Sequence, residues 1–355
     1  MTLTLGVVDQ SPVRRGGTAA EALEESVLLA QRVEALGFHR FWVAEHHNTG
    51  GFAGTTPEIL IGQIAARTSR IRVGSGGVML THYSALKVAE TFRVLNAFYP
   101  GRIDLGIGRA PGSDQLTARA LVYPRAPMDV RQFPQQLVDL MGFLTGEVDS
   151  DAAFGSVQVQ AGPRPELLPE VWLLGSSDYS ARLAAALGLP FAFADFFGMT
   201  DIGPSVAALY REQFQPSEWL DAPRVNAAIQ VICAETEERA RFIASSRNLS
   251  RANMLRGIRG QMYSPEEASK LLGAGTDSIG QLTHGAIDGD PEQVRQGLLA
   301  AAARYETDDL SIVSNCFFFE DRVRSYQLVA EAMGLTPANL ASPREDGVGE
   351  RAARE

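Results

Sequence analysis

Residues 71–107 read IRVGSGGVMLTHYSALKVAETFRVLNAFYPGRIDLGI, and this segment contains one unit of a repeating pattern. An apolar run at 71–73 leads into glycines, and a longer stretch at 84–98 carries apolar residues three or four positions apart. After a Pro-Gly pair, a second apolar run follows at 103–107. This order predicts a strand, a helix that ends at the proline, and a second strand parallel to the first.

The same unit recurs along most of the chain. Strand-like apolar runs occupy residues 3–8, 41–44, 71–73, 103–107, 171–174, 191–194, 227–234 and 310–313. Helix signals lie between them: Thr18 and Glu21 form a capping box before an amphipathic stretch that Gly37 ends, and Thr56 precedes a first-turn proline, Pro57. Alternating strands and helices predict an α/β protein with a parallel sheet, and eight is the number of strands that closes a (β/α)8 TIM barrel. An open, doubly wound sheet is the alternative.

Two segments interrupt the repeat. Residues 146–170 contain three prolines and a short alternating run, which predicts an excursion between the fourth and fifth strands. Residues 251–289 contain seven glycines, and we interpret this Gly-rich segment as a mobile lid before the eighth strand, with a tolerated insertion as the alternative. We therefore expect a single barrel domain over residues 1–337 and a disordered C-terminal tail over 338–355.

The composition excludes several classes of partner. The chain has 355 residues, a formal net charge of -10 and a pI of about 5.1, so it should repel nucleic acid. No apolar run approaches the ~20 residues that a membrane-spanning helix needs, and the N-terminal run does not resemble a signal peptide. The two cysteines, Cys233 and Cys316, lie in apolar runs, which predicts buried free thiols. We expect a cytoplasmic protein with no nucleic-acid or membrane partner.

Polar and glycine-rich residues follow the predicted strands at the end where a TIM barrel carries its active site. They are Glu45, His46 and His47 after strand two, Gly76 and Gly77 after strand three, Arg109 after strand four, and Ser176, Ser177 and Ser180 after strand five. The serines lie at a helix start, where free N–H groups and the helix dipole attract an anion, although ordinary N-capping by Ser177 is the alternative. Because Arg109 can pair with a phosphate in two-point geometry, the group predicts a phosphate-bearing cofactor.

Two other interpretations of these residues are weaker. Glycines at 106, 108 and 112 resemble a dinucleotide fingerprint, but the third is displaced and Pro111 lies where the helix should begin. Residues 45–47 could hold a metal, yet adjacent histidines at a strand end point to opposite faces and no third ligand is evident, so we expect no metal. A histidine that forms hydrogen bonds in a polar pocket, with a pKa suited to proton transfer near neutrality, fits better; a structural histidine is the alternative.

Six segments in order resemble the bacterial-luciferase-like flavin monooxygenases. They are FWVAEHH at 41–47, IRVGSGGVML at 71–80, GRIDLGIGR at 101–109, VWLLGSS at 171–177, DPEQV at 290–294 and EDRVRS at 320–325. The likeness covers roughly residues 3–335, and several segments in the right order are far more specific than any one alone. It implies a single (β/α)8 barrel with the cofactor at its mouth, the end formed by the carboxyl termini of the strands.

The resemblance also implies the roles of individual residues. His46 matches the active-site histidine of the family, and Gly76–Gly77 matches a non-proline cis peptide beneath the flavin ring, where glycines allow close backbone approach. Light emission is not implied, because Gly108 stands where luciferase has a cysteine. The implied cofactor contacts, including a more loosely aligned arginine at 131, are Gly76, Gly77, Arg109, Ser176, Ser177, Ser180 and Arg131.

The activity implied by the resemblance is oxygen transfer from O2 to a small organic substrate, with reduced FMN supplied by a separate flavin reductase. Two alternatives stay open. The same scaffold could use the deazaflavin F420 for hydride transfer, or it could bind a flavin without turnover. The resemblance also leads us to expect a homodimer.

Overall fold

The computed structural model describes residues 3–109, 114–147, 154–157, 159, 168–198, 201–273 and 285–336. The predicted tail, 338–355, lies outside the described residues, as does part of each predicted interruption. No helix in these ranges is long and apolar enough to cross a membrane.

Ten strands form the sheet. They are β1 Thr4–Asp9, β2 Arg40–Val43, β3 Arg72–Ser75, β4 Val78–Met79, β5 Ile103–Gly108, β6 Glu170–Gly175, β7 Phe191–Ala194, β8 Val225–Cys233, β9 Ile287–Gly289 and β10 Asp309–Val313. Eight of them pair in parallel in the order β10-β1-β2-β3-β5-β6-β7-β8, and a further pairing of β8 with β10 closes the ring. This confirms the predicted (β/α)8 TIM barrel over the open-sheet alternative. The short strands β4 and β9 lie outside the ring, beside β5 and β8.

Helices surround the barrel. Their bounds are Ala19–Leu36, Pro57–Ala65, Ala85–Phe98, Gln115–Val122, Phe133–Thr145, Asp178–Ala186, Gly203–Gln213, Glu237–Leu255, Pro265–Gly273, Pro291–Tyr305 and Phe319–Met333. The predicted capping box of Thr18 and Glu21 is present, and Gly37 ends that helix in the left-handed region at φ 92°. Pro57 lies in the first turn of its helix as predicted, but the Thr56 side chain makes no capping bond. The spacing of apolar residues therefore predicts the position of a helix more reliably than a candidate cap residue predicts a capping hydrogen bond.

The interior of the barrel is layered. Side chains that point outward from the strands join the helices in the main core, whereas a second cluster fills the inside of the barrel. The buried residues of that inner cluster are Val8, Trp42, Trp172, Ala192, Ala228 and Val313. They form the floor beneath the barrel mouth, because residues two positions further along each strand point to the same side and lie nearer the carboxyl ends.

A charged layer fills the amino-terminal end of the barrel below this floor. Arg40 is fully buried, and its guanidinium lies 3.5 Å from Asp104 Oδ2 and 3.6 Å from Asp309 Oδ2. It also lies over the rings of Trp42 and Trp172, at 5.0 and 4.7 Å from their centroids. Burial alone would raise the pKa of Asp104, but the charges of Arg72 and Arg40 outweigh it and lower the pKa. The barrel bottom is therefore closed by paired charges stacked on aromatic rings.

The two predicted interruptions are described only in part. Most of the predicted excursion at 146–170 lies outside the described residues, and two helices, Gln115–Val122 and Phe133–Thr145, precede it between β5 and β6. Motion of 251–289 as a lid stays a prediction, but three parts of this segment form regular structure: the first residues end the helix Glu237–Leu255, Pro265–Gly273 is a helix, and Ile287–Gly289 is a strand. The second helix forms because Ala268 and Leu272 pack against Leu249 in a small buried cluster, which outweighs the local glycine content.

Candidate active site

A cavity of about 160 Å³, partly open to solvent, lies at the carboxyl ends of the strands, the face of a (β/α)8 barrel that carries the active site. Its inner wall is apolar and consists of the floor residues Val8, Trp42, Ala192 and Ala228 together with Leu174 and Phe193. Its outer wall carries Phe196 and Phe197. The remaining residues form a polar end and a glycine floor, and the predicted site residues concentrate in these two parts.

The polar end of the cavity is formed by Arg109, Ser176, Ser177 and Ser180. The last three surround the N-terminus of the helix Asp178–Ala186, whose first N–H groups have no partner within the helix. Ser177 occupies the N-cap position with extended backbone, φ -143°, but its side chain makes no capping bond. The alternative of ordinary capping by Ser177 therefore fails, and its hydroxyl is left for a ligand.

Arg109 supplies positive charge at this end. Its guanidinium lies 4.0 Å from the centroid of the Tyr179 ring, which fixes it beside the helix start. Within the described ranges, no carboxylate is found in an ion pair with it. A guanidinium, three hydroxyls and a helix N-terminus around one end of a cavity match the donors that a phosphate monoester needs.

Glycines form the floor next to this end. The Gly76–Gly77 peptide bond is cis, as the resemblance implies. A Cβ on Gly77 would lie 2.7 Å from the carbonyl oxygen of Gly106, and one on Gly76 would lie 3.1 Å from Cβ of Trp42. Because a Cβ at 2.7 Å from a backbone oxygen cannot be accommodated, the floor requires glycine at 77. A flat group can therefore lie directly against the backbone at this place.

His46 lies at the neighbouring strand end. Its backbone N–H donates to the carbonyl of Gly54 at 2.8 Å, and its ring lies against Phe52 with centroids 4.8 Å apart. The ring atom Nδ1 is buried without a hydrogen-bond partner. Burial lowers the pKa of His46 to about 4, so the expectation of a pKa near neutrality is wrong. His46 lies at the mouth but is not among the residues that line the cavity wall itself.

The residues beside His46 form a network that the sequence did not reveal. The fully buried carboxylate of Glu45 accepts hydrogen bonds from Tyr83 Oη at 2.7 Å and from the backbone N–H of Met79 at 2.9 Å, and it contacts His47 Nε2 at 2.7 Å. Burial raises the pKa of Tyr83, and the bond to Glu45 adds to the shift. Because Met79 lines the cavity just after the cis peptide, Glu45 holds the glycine floor in place. No group of three His, Cys, Asp or Glu side chains suited to a metal occurs in the described part of the chain.

Arg131 is not brought into the cavity. Its side chain is exposed and pairs with Asp129, two residues earlier, with Nε 2.9 Å from Oδ2. The sequence placed it at the site only by a loose alignment, and a local ion pair accounts for its position. Of the predicted residues, the cavity brings together Gly76, Gly77, Arg109, Ser176, Ser177 and Ser180, whereas His46 follows the neighbouring strand β2 and does not line it.

A side chain from another helix contacts the backbone of the outer wall of the cavity. Phe196 and Phe197 stack with their ring centroids 4.5 Å apart. Arg251, in the last turns of the helix Glu237–Leu255, donates to the carbonyl of Phe196 at 3.3 Å and to that of Phe197. This contact joins the start of the predicted lid to the aromatic wall.

Comparisons with known proteins agree with this arrangement. The model of a protein family described as luciferase-like monooxygenase matches residues 3–307. The uncharacterised protein YwcH of Bacillus subtilis (strain 168) is 42% identical, over 93% of this chain and 99% of its own. The N-acetyl-S-alkylcysteine monooxygenase of the same organism is 37% identical, over 93% of this chain and 98% of its own. Among solved structures, apo-MsnO8 superimposes with a TM-score of 0.87 at 39% identity, over 95% of this chain and 100% of that one.

More distant structures share the fold alone. The oxygenating constituent of 3,6-diketocamphane monooxygenase from Pseudomonas putida, in complex with FMN, has a TM-score of 0.70 at 17% identity. An F420-dependent secondary alcohol dehydrogenase has a TM-score of 0.65 at 16% identity. Neighbours of this fold thus include both an FMN-bound and an F420-dependent enzyme. The family match over most of the chain and full-length relatives at 37–42% identity lead to one conclusion: this chain belongs to the luciferase-like monooxygenase family of oxidoreductases.

Proposed function

We propose that this protein is an FMN-dependent monooxygenase that uses O2 to oxidise a small organic substrate, with reduced FMN delivered by a separate flavin reductase. The observation that carries the proposal is the polar end of the cavity, where Arg109 and three serine hydroxyls meet a helix N-terminus. These donors suit a phosphate monoester, and FMN ends in one.

The rest of the cavity fits the ring system of a flavin. The glycine floor follows β3, His46 follows the neighbouring strand β2, and much of the remaining cavity wall is apolar. A flat, partly apolar ring placed against the Gly76–Gly77 backbone would have its phosphate at Arg109. The orphaned Nδ1 of His46 gives a second reason to place a polar ring edge at this end of the mouth.

Reduced FMN bound there would supply the two electrons that activate O2 for transfer of one oxygen atom to the substrate. The chain itself performs three tasks. Arg109 and the serines would hold the phosphate, and the wall of Phe196 and the exposed Phe197 would shield the reacting atoms from part of the solvent. His46 is neutral at neutral pH, because burial lowers its pKa to about 4, so its imidazole can donate or accept one hydrogen bond at the flavin edge without adding charge.

The stated activity of a full-length relative supports oxygen transfer over hydride transfer as the reaction of this protein. One full-length relative with a stated activity is N-acetyl-S-alkylcysteine monooxygenase at 37% identity, whereas the F420-dependent neighbour shares 16% identity and the fold alone. We therefore place F420 second. The small, largely apolar cavity points to a small organic substrate.

Binding and oxygen uptake test the proposal together. Purified protein is titrated with FMN and with F420, and O2 consumption is then followed with chemically reduced FMN and a panel of thioethers, ketones and aldehydes. We expect saturable FMN binding and O2 uptake that one substrate class converts into oxygenated product. Binding of F420 without FMN would support the hydride-transfer alternative, and FMN binding without product from any class would point to a flavin carrier.

A further inference from the structure

Three carboxamide side chains belong to neighbouring strands on the opposite side of the barrel mouth from the polar end. They are Gln10, Gln230 and Asn315, which we call the carboxamide cluster, and each is less than a tenth exposed. Around the ring, Arg109 and the serines follow β5 and β6, whereas the carboxamide cluster belongs to β1, β8 and β10. In an eight-strand ring these two groups of strands face each other across the mouth.

The strand register places these side chains on the mouth side of the inner cluster. Gln10, Gln230 and Asn315 each lie two residues beyond an inner-floor residue of the same strand or of the strand just before them, namely Val8, Ala228 and Val313. Because side chains two apart on a strand point to the same face, we place the carboxamides one layer above the floor. Val8 and Ala228 line the cavity, and the carboxamides lie at its edge, outside the residues that line it.

The hydrogen bonds of the cluster are incomplete. Asn315 Nδ2 donates to Gln10 Oε1 at 2.6 Å, which continues the pairing of β1 with β10 beyond the last strand residues. The Oδ1 atom of Asn315 is buried and has no hydrogen-bond partner. A buried carbonyl oxygen without a partner is unfavourable unless a ligand or an ordered water donates to it. Its position at the mouth makes a ligand's N–H or O–H group the natural donor.

We propose that the carboxamide cluster receives the substrate and selects molecules that carry a secondary amide. The inference rests on the proposed function, since it assigns the phosphate end to FMN and the facing side to the substrate. A secondary amide has one donor and one acceptor, which point in opposite directions in its trans form, so that two separate carboxamide side chains can pair with it. Its N–H would donate to Asn315 Oδ1, and its carbonyl would accept from the amide of Gln230.

The test compares two ligands that differ in one hydrogen-bond donor. N-acetylglycine methyl ester has an amide N–H, and N-acetylsarcosine methyl ester carries a methyl group in its place. Binding of each to FMN-loaded full-length protein is measured by calorimetry or by ligand-observed NMR. We expect at least tenfold tighter binding of the N–H ligand to the unaltered protein, and loss of that preference in Asn315→Leu.

Matched variants keep the result interpretable. Asn96→Leu removes another buried amide whose polar atoms lack partners, but Asn96 lies in the helix Ala85–Phe98 outside the barrel, so this variant should keep the preference. Gln230→Met should weaken both ligands, because both retain the carbonyl. It also serves as the second readout if Asn315→Leu does not fold, as judged by circular dichroism and urea unfolding.

Several outcomes would overturn the proposal. Equal binding of the two ligands to the unaltered protein would remove the donor requirement and leave water as the partner of Asn315. A preference that persists in Asn315→Leu would do the same. A tenfold or larger loss of FMN affinity in that variant would assign the cluster to the cofactor. Repeating the titration without FMN separates the two hypotheses: a protein that prefers the N–H ligand but fails to bind FMN contradicts the proposed function alone.

Discussion

At the scale of single residues, Arg109 carries the largest share of the expected cofactor affinity. Its guanidinium rests on Tyr179 and has no carboxylate partner within the described ranges, so it is available to pair with a phosphate. Arg109→Ala should weaken FMN binding by ~1.5–3 kcal/mol, the value of a hydrogen bond to a charged group. Fluorescence titration of FMN measures the effect. Arg131→Ala is the control, because that arginine is exposed and pairs with Asp129, and its FMN affinity should be unchanged.

His46 should affect chemistry more than binding. The phosphate end lies at other strand ends, so we expect His46→Ala to bind FMN within about tenfold of the unaltered protein, or ~1.4 kcal/mol. Product formation should fall by ~100-fold or more, the usual effect of losing a positioned hydrogen-bonding or proton-transfer group, and hydrogen peroxide should be released instead. Assays of product and peroxide with reduced FMN and O2 measure both. Normal yield of product would make His46 structural.

The same histidine should give stability a dependence on pH. Its pKa is about 4 in the folded protein and ~6.5 in the unfolded chain, so the unfolded state binds the proton first as the pH falls. The contribution of His46 to the free energy of unfolding is fully present above pH ~6.5. It decreases by up to ~3 kcal/mol as the pH falls toward 4. Urea unfolding of the unaltered protein and of His46→Gln at pH 7.5 and 4.5 tests this. Equal losses in the two proteins would contradict the lowered pKa.

The sequence predicted those site residues whose positions follow from the ends of strands and the starts of helices. The serines and Arg109 could be found because strand ends and helix starts are readable from the order of residues. The position of the Arg131 side chain could not be predicted, because no sequence pattern indicates its local ion pair with Asp129. Gln10 and Asn315 were missed because they are 305 residues apart and only closure of the barrel brings them into contact.

At the scale of elements, the helix Glu237–Leu255 reaches the aromatic wall through one side chain. Arg251 donates to the carbonyls of Phe196 and Phe197, and its removal should free the segment that carries both rings. We expect Arg251→Leu to release more peroxide per O2 consumed, because water enters more easily, with little change in phosphate anchoring. Arg256→Leu, one turn further in an exposed position, should behave as the unaltered protein. An unchanged ratio of product to peroxide in Arg251→Leu would remove this role.

The elements themselves were predictable to different degrees. All eight barrel strands were found, because buried parallel strands are continuous apolar runs. The helix Pro265–Gly273 and the strand Ile287–Gly289 were missed, because each depends on a tertiary partner: Leu249 for the helix and β8 for the strand. Short elements of this kind have too little local signal to stand out among glycines.

At the scale of the whole molecule, the charged layer at the barrel bottom should matter greatly to stability. Arg40 lies between two tryptophans and faces the carboxylates of Asp104 and Asp309, all of them buried. Arg40→Met should destabilise the protein by up to ~3–5 kcal/mol, because it removes the cation that Asp104 and Asp309 share and leaves them with the less buried Arg72 and Arg224. Adding Asp309→Asn to that variant should restore part of the loss. Urea unfolding measures both, and an Arg40→Met protein as stable as the parent would contradict the prediction.

That closed bottom has a kinetic consequence. Because Arg40 and its partners block the amino-terminal end, the described part of the barrel leaves the mouth as the route by which flavin and substrate both reach the cavity. A substrate that arrives first stands in the path of the flavin ring. Excess substrate added before the flavin should therefore slow flavin capture, whereas the reverse order of addition should leave it unchanged.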